Sequence, residues 1–384
     1  MPRTFDFAII GSGVFGAWIA KYLRDSGASV ILLDAYGAGN SRSSSGGETR
    51  IIRLGYGRDE LYTHWAMRSF PLWRDLFERT GRNLFHRTGV LWLSDHDDPH
   101  ILGMWDLLQQ LNARCEKLDA AEIRKRYPQL RFEDGTLGML EPESGVLMAR
   151  QAVQTLTQHL QASGVECHVA VVMPPIGEGR LAEIKVADGP SVSAGAFVFA
   201  CGAWLPKLFP ELLKDRIFPT RQEVLFFGPR AGSEDFNSSR MPAWLHHTHP
   251  DRPYALPNFE SRGFKIALDA HGSEFDPDSG SRVVSANTFD RVREYLKQHV
   301  PDLADAPVIE TRVCQYENTW NGDFLIDRHP QLENVWLAGG GSGHGFKHGP
   351  VVGEYLSARI LHNAAVQPRF LLSTKQHQRA REVY

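Results

Sequence analysis

Residues 5–10 form an apolar run broken only by Asp6, and residues 29–33 form a second one. Between them Ala17, Ala20 and Leu23 recur on one helical face, which predicts a helix over 14–27. The same strand signature returns at 194–200 and 335–338, and each of those runs ends in a glycine-bearing junction, Cys201-Gly202-Ala203-Trp204 and then the Gly-rich stretch 339–347. A helix is predicted over about 351–364, and a strongly amphipathic one over 150–163 leads into a strand at 164–169. A helix over 59–80, a strand at 89–93 and a helix over 118–127 stopped by Pro128 lie between these segments. Residues 217–227, 263–268 and 306–316 read as strands of a separate sheet. Residues 37–48, rich in Gly and Ser, read as a surface loop, and the charged residues 376–384 are expected to fray. Strand–glycine–helix signals at the start, middle and end, with strand-rich material between, predict an α/β chain of two domains, each discontinuous in sequence.

The first junction is the most informative. Gly11-Ser12-Gly13-Val14-Phe15-Gly16 follows the first apolar run directly, and Asp34 closes the second. This is the order strand, glycine turn, helix, strand, acid that binds a dinucleotide. Gly11 permits the tight turn, Gly13 lets the backbone approach a pyrophosphate, and Gly16 brings the helix close to the strand. The pyrophosphate then meets the positive end of the helix dipole, and Asp34 accepts from a ribose diol. The fingerprint alone does not separate NAD from FAD.

Composition narrows the classes. With 384 residues, 42% of them hydrophobic, the chain is long enough for two cores. A net charge of -3 is no footprint for nucleic acid or an anionic membrane. No apolar stretch approaches a membrane span. The cysteines Cys115, Cys167, Cys201 and Cys314 are scattered, which suits a reducing compartment, and no metal-ligand spacing appears among them or the histidines. His246, His247 and His249 fall in a polar stretch and read as loop residues rather than a metal site. The expectation is a soluble, cytoplasmic protein, since a strand beginning at Phe5 leaves no room for a signal peptide.

Four segments together, the first fingerprint, Gly46-Gly47-Glu48-Thr49-Arg50-Ile51-Ile52-Arg53, Cys201-Gly202-Ala203-Trp204 and Gly341-Ser342-Gly343-His344-Gly345-Phe346-Lys347, resemble the D-amino-acid-oxidase superfamily of FAD enzymes, within it monomeric sarcosine and N-methyltryptophan oxidases. The resemblance spans nearly the whole chain. It implies FAD, a cofactor domain of the glutathione-reductase type over 1–82, 145–215 and 317–384, and an antiparallel-sheet substrate domain over 83–144 and 216–316. The residue pattern agrees in one respect: two further glycine junctions are surplus to a nicotinamide fold but suit an extended FAD.

The resemblance also implies roles. Cofactor contacts fall on Gly11, Gly13, Val14, Phe15, Gly16, Asp34, Ser44, Ser45, Thr49, Arg50, Gly202, Trp204, Gly341, Gly343, His344, Gly345, Phe346 and Lys347, with Arg50 lying under the flavin ring. Cys314, followed two positions later by Tyr316, matches the cysteine that carries the flavin as a thioether, with Arg312 on the same strand face to favour the thiolate. Lys265 matches the lysine whose charge stabilises superoxide. Arg53 and Lys347 match the pair that holds the substrate carboxylate. Tyr254 and Tyr316 match tyrosines that shape the pocket. Asp269 stands where the family places a histidine, able to accept from a substrate amine or to neutralise Lys265. Arg58 stands near the pocket entrance, where sarcosine oxidases have a glutamate. The implied reaction oxidises a secondary or primary amine of an amino acid to an imine that hydrolyses, while oxygen becomes hydrogen peroxide, in a monomer. The competing readings are a dehydrogenase that passes its electrons to another acceptor and a non-catalytic FAD subunit.

Overall fold

The computed structural model describes residues 4–376, so the fraying expected over 376–384 falls, from 377 on, outside the described residues. Its first sheet is seven-stranded. Thr4–Ile10 lies at the centre, parallel to Val30–Asp34 on one side and to Val192–Phe199 on the other. Glu166–Val169 continues the parallel run beyond Val30–Asp34, and Val335–Gly339 beyond Val192–Phe199. Leu325–Arg328 closes one edge antiparallel, and the short Glu183–Ile184 pairs with Val192–Phe199. The inner strands are mostly apolar, as in Val30–Leu33 and Phe197–Phe199, because helices and loops cover both faces there, while the edge strands Glu166–Val169 and Leu325–Arg328 carry polar residues. Val30 and Leu32 pack into the cluster holding the helices Val14–Asp25, Ala149–Ala162 and Gly349–His362, while Ile31 and Leu33 pack with Leu205 and Phe209 on the other face. Each such buried side chain contributes about 1.5–3 kcal/mol of burial energy.

The steric roles expected of Gly11 and Gly16 are seen directly. Gly11 has φ +101, and a Cβ there would lie 2.3 Å from Ala200 O. A Cβ on Gly16 would lie 1.8 Å from Gly11 O, so only glycine lets the helix start this close to its strand.

The second sheet is eight-stranded. Val308–Thr319 pairs antiparallel with Ile217–Phe227, then come Phe264–Leu268, Pro253–Leu256 and Ala243–His246. Val90–Ser94 adds on in parallel, followed by Leu137–Glu141 and Glu116–Leu118. Its two faces differ by the two-residue pleat. Leu225, Phe227, Phe264, Ile266 and Val313 pack against Val292, Tyr295 and Leu296 of the helix Ala286–His299. The alternate residues Gln222, Val224, Phe226, Lys265, Cys314 and Tyr316 face the first sheet's glycine junctions across a chamber. A third sheet of Arg50–Ile52, Gly145–Leu147 and Phe85–His86 lies beside it.

Several elements depart from the sequence expectation. Residues 37–48 are no surface loop: Ser45, Gly46 and Glu48 are buried, and the segment lines a cleft. The predicted helix over 118–127 is shorter, Ala120–Arg126, because Glu116–Leu118 is a strand and Asp119 caps the helix with a reciprocal bond to Glu122. The strand expected at 306–316 runs on to Thr319, across the expected boundary at 316/317. His246 is not a loop residue. It ends the strand Ala243–His246, is 1% exposed, and is held by Asp95 (2.8 Å) and Tyr295 (3.0 Å).

Candidate active site

Two connected cavities lie between the sheets. The larger, about 400 Å³, runs along the glycine junctions and is lined by Gly11, Gly13, Val14, Phe15, Asp34, Ser44, Ser45, Gly202, Trp204, Gly341, Gly343, Gly345 and Phe346. Gly16 stays behind it, in the helix–strand packing already described. The smaller, about 90 Å³, is lined by Thr49, Arg53, Tyr254, Lys265, Asp269, His344 and Lys347. Arg50, Cys314, Tyr316, Gly343 and Phe346 line both cavities.

The long cleft fits a dinucleotide. Gly13, Val14 and Phe15 line the cleft, so the positive end of the helix Val14–Asp25 faces it, with Val14 N–H donating to Ser45 Oγ (3.0 Å). Asp34 accepts from the backbone N–H of Ser12 (2.8 Å) and of Tyr36 (2.9 Å), which aims the carboxylate at the cleft wall. Two buried oxygens at the junctions, Ser12 Oγ and Glu317 Oε2, have no hydrogen-bond partner among the described residues. Burial pushes the Glu317 carboxyl up to about 7, although it accepts from the N–H of Gly341.

Cys314 opens onto both cavities. The cation beside its sulfur is Arg50, whose Nη2 lies 3.6 Å from Sγ. Arg312, expected in that role, is held instead by Glu48 (2.7 Å) and Glu310 (2.6 Å). The reason is the polar segment 44–50, which brings Arg50 and Glu48 over the strand.

The chamber is built around charge. Arg53 is 4% exposed, and its guanidinium sits 4.5 Å from the Tyr56 ring and 4.5 Å from the Trp92 ring. Its Nη1 donates to Gly55 O. The loop bearing that carbonyl is gripped by Glu141, which accepts from Leu54 N (2.7 Å), Gly55 N (3.1 Å), Trp92 Nε1 (2.9 Å) and Ser144 Oγ (2.6 Å). Lys347 sits in the turn Phe346–His348 and donates to Tyr56 Oη (2.7 Å) and His344 O (3.0 Å). Trp73 fixes this turn, donating to Lys347 O (2.9 Å) and stacking on Phe346. Lys265 Nζ donates to Thr49 O (3.0 Å) and Oγ1 (3.3 Å). Burial drives both lysines well below the ordinary ammonium range.

Opposite them, Tyr316 Oη donates to Asp269 Oδ1 at 2.5 Å. Burial raises the Asp269 carboxyl even so. The partner of Asp269 is therefore Tyr316 and not Lys265. The structure does not bring Arg58 to the chamber: its side chain is 80% exposed, packs over Gly103, and lies 3.7 Å from Asp106. His247 stacks on His100 with ring centroids 4.4 Å apart, and among the described residues no group of three His, Cys, Asp or Glu could hold a metal ion. Sequence reasoning missed Tyr56, Trp92, Glu141, Glu317 and His348. The one local signal was for Glu141, an isolated acid ending an apolar strand.

A long glycine-lined cleft beside a small chamber lined by buried cations is an arrangement suited to a dinucleotide-dependent redox enzyme. The chain belongs to the family of FAD dependent oxidoreductases termed DAO, whose model matches residues 6–359. It is 30% identical over 366 residues to a monomeric sarcosine oxidase of Arthrobacter sp. (strain TE1826), covering 93% of this chain and 92% of that one. It is 28% identical over 354 residues to the N-methyl-L-tryptophan oxidase of Salmonella heidelberg (strain SL476), covering 91% and 93%. The crystal structure of L-proline dehydrogenase from P. horikoshii shares the fold, with a TM-score of 0.83 at 21% identity over 97% of this chain and 98% of that one. The chain is thus an FAD-dependent oxidoreductase of mixed α/β fold. Among the described residues no helix is long and apolar enough to cross a membrane.

Proposed function

We propose that this protein oxidises a small amino acid bearing a secondary or primary amine and hands the electrons to oxygen. The observation that carries the reading is the chamber: Arg53, Lys347, Lys265, Asp269 and Tyr316 line one small buried cavity that shares Arg50, Cys314 and Tyr316 with the cofactor cleft. FAD, when bound, would be held by the glycine junctions and Asp34, with Cys314 placed to tether it, and would supply the two-electron acceptor for oxidation of the substrate's C–N bond.

The protein's own residues place and charge the substrate. Arg53, braced between two aromatic rings and held by the Glu141-gripped loop, presents its fork to the carboxylate, and Lys347 adds a second donor. Asp269 faces the amine and accepts its proton, leaving nitrogen the lone pair that oxidation needs. Tyr316 holds that carboxylate in place, and Tyr254 closes the wall beside Lys265. Lys265 stabilises the negative charge that develops on oxygen in a buried site. A chamber of about 90 Å³, far below the several hundred typical of drug-sized ligands, favours a compact aliphatic amino acid over an indole-bearing one.

The antiparallel sheet is the substrate domain in this reading and the parallel sheet the cofactor domain. The sarcosine oxidase relative's description as monomeric supports a monomer. The unbridged cysteines support a reducing compartment such as the cytoplasm.

The test is peroxide formation across a panel of N-methyl and primary amino acids. Turnover with small members and release of hydrogen peroxide is expected. Turnover only with an artificial or quinone acceptor would favour the dehydrogenase reading, and the absence of flavin reduction by every amine would favour a non-catalytic subunit.

A further inference from the structure

Lys347 is a cation-bearing side chain in a place that does not support its charge until a ligand arrives. It is 4% exposed. Among the described residues its Nζ has two partners, both neutral oxygens, Tyr56 Oη and His344 O. The charged and titratable groups that face it are Arg53, Glu141, Asp269, Tyr56, His344 and His348. Both carboxylates are engaged elsewhere: Glu141 by its four donors and Asp269 by Tyr316. Arg53, a permanent cation, adds repulsion, and together with burial it outweighs the two acids.

The other side of Tyr56 is equally specific. Its hydroxyl lies 2.7 Å from His348 Nε2. His348 is 0% exposed, and its Nδ1 has no partner among the described residues. Burial, followed by the positive neighbours, keeps this imidazole neutral. The Tyr56 hydroxyl has a single proton to share among three nitrogens, Lys347 Nζ and His348 Nε2 at 2.7 Å each and His344 Nδ1 at 3.3 Å. It can donate to the amine lone pair of a neutral Lys347. When Lys347 is charged, the ammonium donates to Tyr56 Oη and the hydroxyl proton turns to His348 Nε2. Tyr56 therefore serves both charge states of Lys347, donating to the neutral amine or accepting from the ammonium while its own proton turns to His348.

We propose that carboxylate binding in the chamber is coupled to uptake of a proton from solvent by Lys347, with Tyr56 and His348 as the positioning residues that make the change possible. The inference rests on the carboxylate-clamp reading above and goes beyond it: the clamp is complete only in the bound state. The step balances as neutral amine plus carboxylate plus one solvent proton giving an ammonium–carboxylate pair. Its sign is fixed. Uptake on binding means that carboxylate affinity falls as pH rises, by about tenfold per pH unit while the uptake is complete.

The test is titration calorimetry of the FAD-loaded protein with propionate, which carries no amine to confuse the proton count, against propionamide. At pH 8, in Tris and in Hepes, buffers of different ionisation enthalpy, the heat should report uptake of about one proton per propionate. It should report none for the amide. Asp269→Asn should keep the uptake, and Lys347→Met should abolish it. Tyr56→Phe, which removes the acceptor of the ammonium, should weaken propionate at least about tenfold and reduce the uptake at pH 8. Propionate binding with buffer-independent heat and pH-independent affinity would overturn the proposal while leaving the clamp standing. Loss of uptake in Asp269→Asn would overturn it by giving the proton to that carboxyl, and parental affinity and uptake in Tyr56→Phe would also overturn it. Failure of propionate to bind any better than the amide would remove the clamp, and the proposal with it.

Discussion

Replacing Arg53 by alanine removes a permanent, forked cation from the chamber; Arg50 and Arg312, which also line it, are tied to Ser44 O and to Glu48 and Glu310. The side chain is wedged between Tyr56 and Trp92, at 4.5 Å from each ring, so the fork is already oriented before any ligand binds. Little rotamer entropy remains to be lost on binding, and the full charge-assisted bond is realised. Such a bond is worth about 1.5–3 kcal/mol. At about 1.4 kcal/mol per decade, Arg53→Ala should weaken an amino-acid carboxylate about 10- to 100-fold. The corresponding amide should lose far less, because it brings no charge to the fork. Arg53→Lys should fall between, keeping charge but not bidentate reach. The assay is a flavin difference-spectrum titration with matched acid and amide ligands, in parent and variants of equal thermal stability. The matched pair separates a lost clamp from a merely disturbed chamber. Equal losses for acid and amide would refute the clamp.

Lys265→Met should slow reoxidation of the reduced enzyme by air about 100- to 1000-fold in stopped-flow while sparing anaerobic reduction; an unchanged oxygen rate would end the assigned role. The flavin should remain with acid-precipitated parent protein and be released from Cys314→Ser; yellow colour in the parent's supernatant would refute the tether. Burial holds the Glu317 carboxyl at about 7 in the folded protein, above its ordinary 4.5. The folded state therefore keeps a proton that the unfolded state has lost, so stability falls as pH rises from about 4.5 to about 7 and stays lower above. Glu317→Gln apoprotein should melt higher than the parent at pH 8, by on the order of 2–3 kcal/mol in stability, with the gap closing toward pH 4.5; a pH-independent gap would contradict it.

What the sequence revealed depended on how local the cause was. Gly11 and Gly16 announce themselves because their constraints, a positive φ and contact with a neighbouring turn, arise within a few residues. Ile217–Phe227 was legible in the same way, from its own apolar and β-favouring residues. The helix Ala286–His299 was not, because its buried stripe is only Thr288, Val292, Tyr295 and Leu296 in an otherwise polar segment. His246 looks like a loop residue until Ala243–His246 pairs with Val90–Ser94 and Asp95 reaches its ring. Glu141 acquires meaning from donors at 54, 55 and 92, and the Tyr56–His348 contact joins residues 292 positions apart. Arg58 shows the reverse error, since nothing near it in sequence says that its side chain turns outward over Gly103.

The central claim is that the chamber selects a small amino acid by its carboxylate and delivers it to the cofactor for oxidation. Anaerobic reduction of the flavin spectrum, with each small N-methyl or primary amino acid paired with the amine that lacks its carboxylate, tests this most directly. Rapid bleaching by at least one compact amino acid, and none by its decarboxylated partner, is the predicted result. Equal bleaching by both members of every pair, or by neither in any, would contradict it.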